Sequence, residues 1–408
     1  MSTPVPPITH PGRYHFLDWV RILAFFVLII YHVGMYYVSW GWHVKSPDAG
    51  HGPEPFMLLS SPWRLDLLFL VAGVASGCML ARIAPGRFLG QRSWRLLVPL
   101  LFSMLVVVPP QSYFEVVENL GYDGGYGAFI RLYASGYHGF CKDGCLILPT
   151  WNHLWFVAYL WTYTLVLALL ALALGRRFED AMRRLASRAG PWLAGWKLIL
   201  LPAAVLALAR QLLIARFGET HALVGDWYLH AKYLPMFLFG ALLARLPQVW
   251  ARIEALRWRC LAQALGGWAV AVIWWALPDD AIGAGLMPWM LPVMRCVYGL
   301  LAWSAILAAC GFARRHLDRD GPARRYLTEA VFPVYILHQT LIVTLAHAFK
   351  PLHLAAGVEA IVLVVLTTVL SFAGFELVRR VAVLRPLFGL GALPRHPAAR
   401  ALTVADAA

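Results

Sequence analysis

Charge is what this chain has least of. Only 14% of its 408 residues are Asp, Glu, Lys or Arg, where a soluble domain of that size keeps roughly a quarter. The deficit is largest on the acidic side, with 21 Asp and Glu against 35 Lys and Arg. Six cysteines are scattered without a C-x-x-C pair, which gives no support to a structural zinc site. There is no internal repeat between the two halves and no polar stretch long enough for a soluble domain. A cleavable leader is not expected either. The first apolar run is longer than a signal's core, and no small-residue cleavage pattern follows it.

What fills the chain is hydrocarbon. Hydrophobic residues make up 60% and mean hydropathy is +0.64. The 18 tryptophans suit a protein with indoles at the lipid headgroups. Ten apolar runs read as membrane helices: 17–39, 65–83, 96–114, 154–174, 198–215, 228–246, 260–277, 291–312, 330–349 and 358–378. The fold class expected is therefore all-α, a polytopic integral membrane protein with about ten transmembrane helices. Residues 1–16 and 381–408 form short tails around one membrane domain, 17–380.

The net charge of +14 is shared with nucleic-acid binders, so the position of the charge decides. Basic residues cluster at 82–95, 176–197, 245–259, 314–325 and 379–400, in every second loop. The intervening loops carry few, such as Lys45, Arg131 and Lys350. By the positive-inside rule the rich loops and both ends are cytoplasmic. The basic residues thus mark topology in membrane lipid, and no nucleic-acid partner is expected. Cys78, Cys260, Cys296 and Cys310 fall in or beside apolar runs, where cysteine packs as a small hydrophobe. Cys141 and Cys145 sit in the longest external loop, either as a disulfide or as free thiols. His138 and His153 are near, but no metal is expected.

Ionisable groups inside spans are costly and mark function or pairing. In the first span Asp18 and Arg21 are three apart and can pair on one face. His32 follows Arg21 by eleven residues, which leaves about 20° of rotation and about 16 Å of rise, so the two share a face. A neutral interhelical histidine and a general base both fit that position. Asp66, opening the second span, is either an orienting carboxylate for His32 or the partner of Arg64. Gly73 and Gly77 form a small-xxx-small pattern for close helix packing. Arg92 and Arg95, spaced R-x-x-R at a cytoplasmic helix start, either mark topology or offer two forks to phosphates. Asn152, His153 and Trp155 stand at the external mouth of the fourth span. Tyr335, His338 and Gln339 fall at mid-membrane beside Pro333. Glu376 with Arg379 and Arg380 is read as an ordinary helical ion pair.

These residues resemble a known family, the membrane acyltransferase-3 family. The resemblance rests on LDWVRILAFFVLIIYH with its R-x10-H spacing, then LDLLFLVAG, QRSWRLLVP, NHLWFVAYL, VYILHQTLI and FELVRRVAVLRPLFGL, in that order. NHLWF and LRPLFGL are similar to the branch of glucan succinyltransferases. The resemblance implies transfer of an acyl group from cytoplasmic acyl-CoA, the donor substrate, to a hydroxyl of an external carbohydrate acceptor, with no tightly bound cofactor. Carried over by position, His32 is the essential histidine, Arg21 its R-x10-H partner on the donor side, and Arg92 and Arg95 the donor-binding arginines. Asp66 is the second catalytic candidate from the reading of the residues themselves. His153, Trp155, Tyr335 and His338 would serve the acceptor. His32 can activate the acceptor directly or carry the acyl group. Ala72 stands where the family usually has Ser. A succinyl donor would call for a cation near its carboxylate, and Lys232 and Arg210 are the unusual charges in their spans. The competing reading is a secondary transporter of a sugar or lipid-linked glycan, which also carries intramembrane charges but has no evident use for R-x-x-R.

Overall fold

The computed structural model describes residues 14–142, 144–193, 195–278 and 286–392. Among them every regular element is helical. In chain order these are α1 (His15–Tyr37), α2 (Glu54–Met57), α3 (Arg64–Leu80), α4 (Pro85–Val106), α5 (Pro109–Leu120), α6 (Tyr126–Ala134), α7 (Trp155–Leu174) and α8 (Arg177–Leu193). Then come α9 (Lys197–Phe217), α10 (Trp227–Leu243), α11 (Pro247–Ala276), α12 (Met287–Leu317), α13 (Pro322–Phe349), α14 (Ala356–Arg380) and α15 (Leu384–Leu387).

All ten apolar runs lie on helices, but they are not equally long. Six helical stretches are long and apolar enough to cross a bilayer: α1, α7, α9, α12, α13 and α14. The pairs α4–α5 and α10–α11, bent by 41° and 113°, raise the number to eight if each is one span. α3 and α10 have only 17 residues each, about 26 Å of helix against a hydrocarbon core of about 30 Å. The helices thus support an integral membrane protein with six to eight crossings. The count of ten, read from the apolar runs and the alternation of loop charge, is not reached by helices of sufficient length among the described residues.

α3 packs on α10, α11 on α12, α9 on α12, α13 on α14, and α1 against α12, α13 and α14. The α3–α10 contact is the closest. A Cβ on Gly73 would lie 1.9 Å from the Phe237 carbonyl oxygen, and one on Gly240 would lie 2.1 Å from that of Leu70. Only glycine lets the two backbones meet, because hydrocarbon supplies no other drive for helix association than packing and polar contacts.

Ion pairs tie the arginine-rich end of the bundle. Asp18 of α1 receives Arg324 of α13, Glu254 of α11 meets Arg314 at 3.2 Å, and Glu179 of α8 meets Arg245 at 2.7 Å. Residues 381–392 are not a free tail. Arg385, at 3.1 Å from Glu329, is buried, and Phe388 packs on Phe102 of α4. At the opposite end Lys45 donates to the carbonyls of Met35 and Val38 at 2.7 and 2.6 Å, capping α1. Burial pushes its ammonium down to about 8. Here α5, α6 and the following loop enclose a small aromatic core of Phe129, Tyr133 and Phe140, and the exposed Cys141–Cys145 disulfide closes a turn of that loop.

Gly73→Ala is expected to lower the melting temperature of the purified protein, since forcing volume into a tight contact costs ~1–3 kcal/mol. Gly266→Ala in α11, where a Cβ meets nothing within 4 Å, gains helix propensity instead. Equal melting temperatures for the two variants would remove the backbone contact as a constraint.

Candidate functional site

Three histidines converge between α1, α13 and the turn before α7. His32 Nδ1 lies 2.7 Å from His338 Nε2. His338 Nδ1 lies 2.6 Å from the Tyr335 carbonyl oxygen. A carbonyl only accepts, so His338 Nδ1 carries the hydrogen. In the neutral ring Nε2 then accepts, and His32 Nδ1–H must donate to it. The same logic leaves the His32 Nε2 with its lone pair. A backbone carbonyl thus fixes two tautomers in series, because the hydrogen bond at one ring nitrogen decides what the other can do. His338 is fully buried while His32 is half-buried.

His153 completes the group without opening it. Its Nε2 is 3.2 Å from the carbonyls of both Tyr335 and Ile336, and Nδ1 is 3.4 Å from Gln111 Nε2. Tyr335 answers by donating its hydroxyl to the His153 carbonyl at 2.5 Å. His153 and Tyr335 are buried with their polar atoms engaged inside the protein. They brace the histidine pair, and neither lines an external mouth. Trp155 remains half-exposed, stacked against His221 at 4.2 Å and Tyr233 at 5.8 Å.

Gln111 and His43 were not legible in the sequence. The break before α5 creates the Gln111 site: Pro109 and Pro110 lack N–H groups, and Gln111 N turns to the Val108 carbonyl. The Val107 carbonyl then accepts from Thr340 of α13 at 2.7 Å. The Gln111 side chain collects Asn152 and Gln339 at 3.2 Å and reaches Thr340 at 2.6 Å. Gln339 continues to His43 Nε2 at 2.9 Å, and His43 Nδ1 meets Glu115 at 2.5 Å. The paired prolines of PPQS were the available signal. Nothing local to His43 announces its partners.

Asp66 does not serve His32. Its carboxylate is 3.3 Å from Lys232 Nζ, with both side chains buried. Nor does it pair with Arg64, whose guanidinium stacks on Tyr31 at 3.2 Å. Both sequence readings of Asp66 give way to a cross-helix pair that shares the α3–α10 contact with Gly73 and Gly240. Lys232 is thereby occupied. Arg210 donates to the Tyr228 hydroxyl at 2.9 Å and lies 3.9 Å from Glu219.

At the arginine-rich end, Arg92 and Arg95 of α4 and Arg21 of α1 are close enough to repel one another. Arg21 lies 3.9 Å from Asp18 and 3.4 Å from the Thr328 carbonyl. Arg92 Nε and Nη2 are buried with no protein partner among the described residues. Three like charges, with the open donors of Arg92 among them, suit a polyphosphate. A small, partly open apolar depression lies along the same stretch of α1, among Ile22, Phe25, Phe26 and Ile29 with Val331 and Phe372. It offers no polar atom, so it suits hydrocarbon and leaves an amide-bearing arm unsatisfied.

Residues 14–376 match the family described as an acyltransferase domain. Among curated proteins the chain is similar to "Glucans biosynthesis protein C" of Salmonella heidelberg (strain SL476) and of Salmonella agona (strain SL483). Each is 24% identical over 348 residues, covering 83% of either chain. No solved structure matches.

Lys232→Met is expected to cost ~3–5 kcal/mol of stability, because it strands a buried carboxylate. Asp66→Leu combined with Lys232→Met should recover most of that loss in thermal unfolding. A double variant no more stable than Lys232→Met alone would show that the two groups are not coupled.

Proposed function

Since the chain belongs to the acyltransferase family that spans 14–376, we propose that it moves an acyl group from cytoplasmic acyl-CoA to a hydroxyl of an external glycan. The observation that carries the reading is the His32–His338 hydrogen bond, whose direction the Tyr335 carbonyl dictates. It leaves a neutral imidazole with a bare Nε2 on α1, on the helical face that runs back to Arg21 and the arginine cluster. The two named relatives make carbohydrate the natural acceptor class. The loop charges support a cytoplasmic arginine cluster by the positive-inside rule, on the side where CoA esters are, with His32 toward the outer half of the membrane.

The step is a single displacement. His32 Nε2 takes the proton from the acceptor hydroxyl as its oxygen attacks the thioester carbonyl carbon. The new C–O bond forms, the C–S bond breaks, and the proton on Nε2 passes to the departing CoA sulfur. His338 accepts the Nδ1–H throughout and steadies the imidazolium that forms, the part a buried partner plays for a catalytic histidine. Arg92, Arg95 and Arg21 hold the donor's phosphates, so the thioester is delivered at a fixed depth. The open guanidinium donors of Arg92 beside Arg95 favour this over a transporter, which needs no phosphate forks.

With labelled donor supplied to the arginine-rich face of proteoliposomes, His32→Ala is expected to abolish transfer to added glucan. His338→Gln keeps an acceptor for His32 Nδ1–H and should retain more activity than His338→Leu, whose loss is expected to be ~10²–10⁴-fold. Equal turnover in wild type and His32→Ala would remove His32 from the centre. Equal loss in the two His338 variants would argue for packing alone.

Arg92→Ala and Arg95→Ala are expected to raise KM for the donor at least ~10-fold, the weight of a charge-assisted hydrogen bond, with kcat little changed. Unaltered KM in both variants would place donor binding elsewhere.

A further inference from the structure

Arg64 is a buried cation with no ion-pair partner among the described residues. It is the first residue of α3, and its side chain is only 5% exposed. The guanidinium lies over the Tyr31 ring, 3.2 Å from the centroid. Nε and Nη1 are enclosed and have no hydrogen-bond partner among the described residues. Asp66, two residues on, is committed to Lys232 at 3.3 Å. Arginine cannot shed its proton to relieve the burial. The face of Tyr31 offsets part of the cost, and two in-plane N–H groups remain unfilled.

The position of this cation gives it meaning. Tyr31 precedes His32, and the two ring centroids are 6.0 Å apart. An unfilled guanidinium therefore stands one ring away from the imidazole that meets the acyl donor. The N-terminal end of α3 adds partial positive charge at the same place. Two other cations set in apolar spans, Lys232 and Arg210, are answered by Asp66 and by Tyr228 with Glu219. Arg64 alone of these three has open donors.

We propose that Arg64 receives an oxygen anion of the acyl group in transfer, an inference that rests on the acyltransferase reading. When the acceptor oxygen bonds to the thioester carbon, the carbonyl π electrons move onto oxygen, and the Arg64 N–H groups donate to that oxyanion. The electrons return as the C–S bond breaks. A carboxylate at the far end of a dicarboxylic acyl group offers the same oxygen anion to the same donors, and two donor substrates tell the sources apart.

The test uses full-length protein in proteoliposomes with acetyl-CoA and succinyl-CoA, comparing wild type, Arg64→Gln and Arg64→Lys. Arg64→Gln is expected to lose ~10²–10³-fold in turnover, the usual effect of removing an oxyanion donor, and Arg64→Lys to recover part of it. Loss of kcat on both donors with KM unchanged identifies the carbonyl oxyanion. Loss confined to succinyl-CoA identifies the carboxylate. Arg64→Gln within threefold of wild type on both donors, or Arg64→Lys no better than Arg64→Gln, overturns the proposal while leaving the role of His32 intact. Should wild type turn over neither donor, the acyltransferase reading fails. Arg64 is then judged by thermal unfolding with added acetate or succinate. A rise in wild type that is absent in Arg64→Gln sustains an anion site, and no rise in either removes it.

Discussion

A single backbone carbonyl sets the chemistry of this bundle. The Tyr335 oxygen accepts from His338 Nδ1, which turns His338 Nε2 into an acceptor, which turns His32 Nδ1 into a donor. Reversing any link would leave two lone pairs or two hydrogens facing each other at 2.7 Å. In hydrocarbon no water repairs such a mismatch, and the cost of an unmade hydrogen bond is high. The low dielectric that makes a polar residue expensive in a membrane is also what makes this arrangement unambiguous.

The surrounding structure exists to hold that carbonyl and that ring in place. His153 braces the Tyr335 and Ile336 carbonyls from the turn before α7, and Tyr335 ties back to the His153 carbonyl. Gln111, seated by the broken α4–α5 pair, joins α5, the turn before α7 and α13 in one polar web that runs through Gln339 to His43 and Glu115. Every member has a partner whose donor or acceptor character follows from its neighbour. Such a web rigidifies because no member can turn without orphaning another. The α3–α10 pair is a second rigid unit, joined through glycine backbones and the buried Asp66–Lys232 pair.

The helices, the residues on α1 and the arginine spacing on α4 were legible in the sequence because hydropathy and a 3.6-residue period carry them. Periodicity says which face a residue takes. It does not say which helix that face meets. Asp66 was therefore offered to His32 and Arg64, whereas the register of α3 on α10 hands it to Lys232. Of the glycines that set the register, Gly73 and Gly77 could be seen as a packing pattern, and their counterpart Gly240 could not. His153 was placed at an external mouth because it precedes a span, yet the turn at 152–154 directs it inward. The count of crossings came from apolar runs and alternating loop charge, and α3, with 17 residues, shows that neither is a measure of helix length.

The most direct measurement is the nitrogen NMR spectrum of histidine-labelled protein at neutral pH, with the His32 signals assigned by their loss in His32→Ala. The account requires a neutral ring with hydrogen on Nδ1, bonded to His338, and a bare Nε2. A ring with hydrogen on Nε2, or a doubly protonated His32 at neutral pH, would leave no base on α1 and would contradict it.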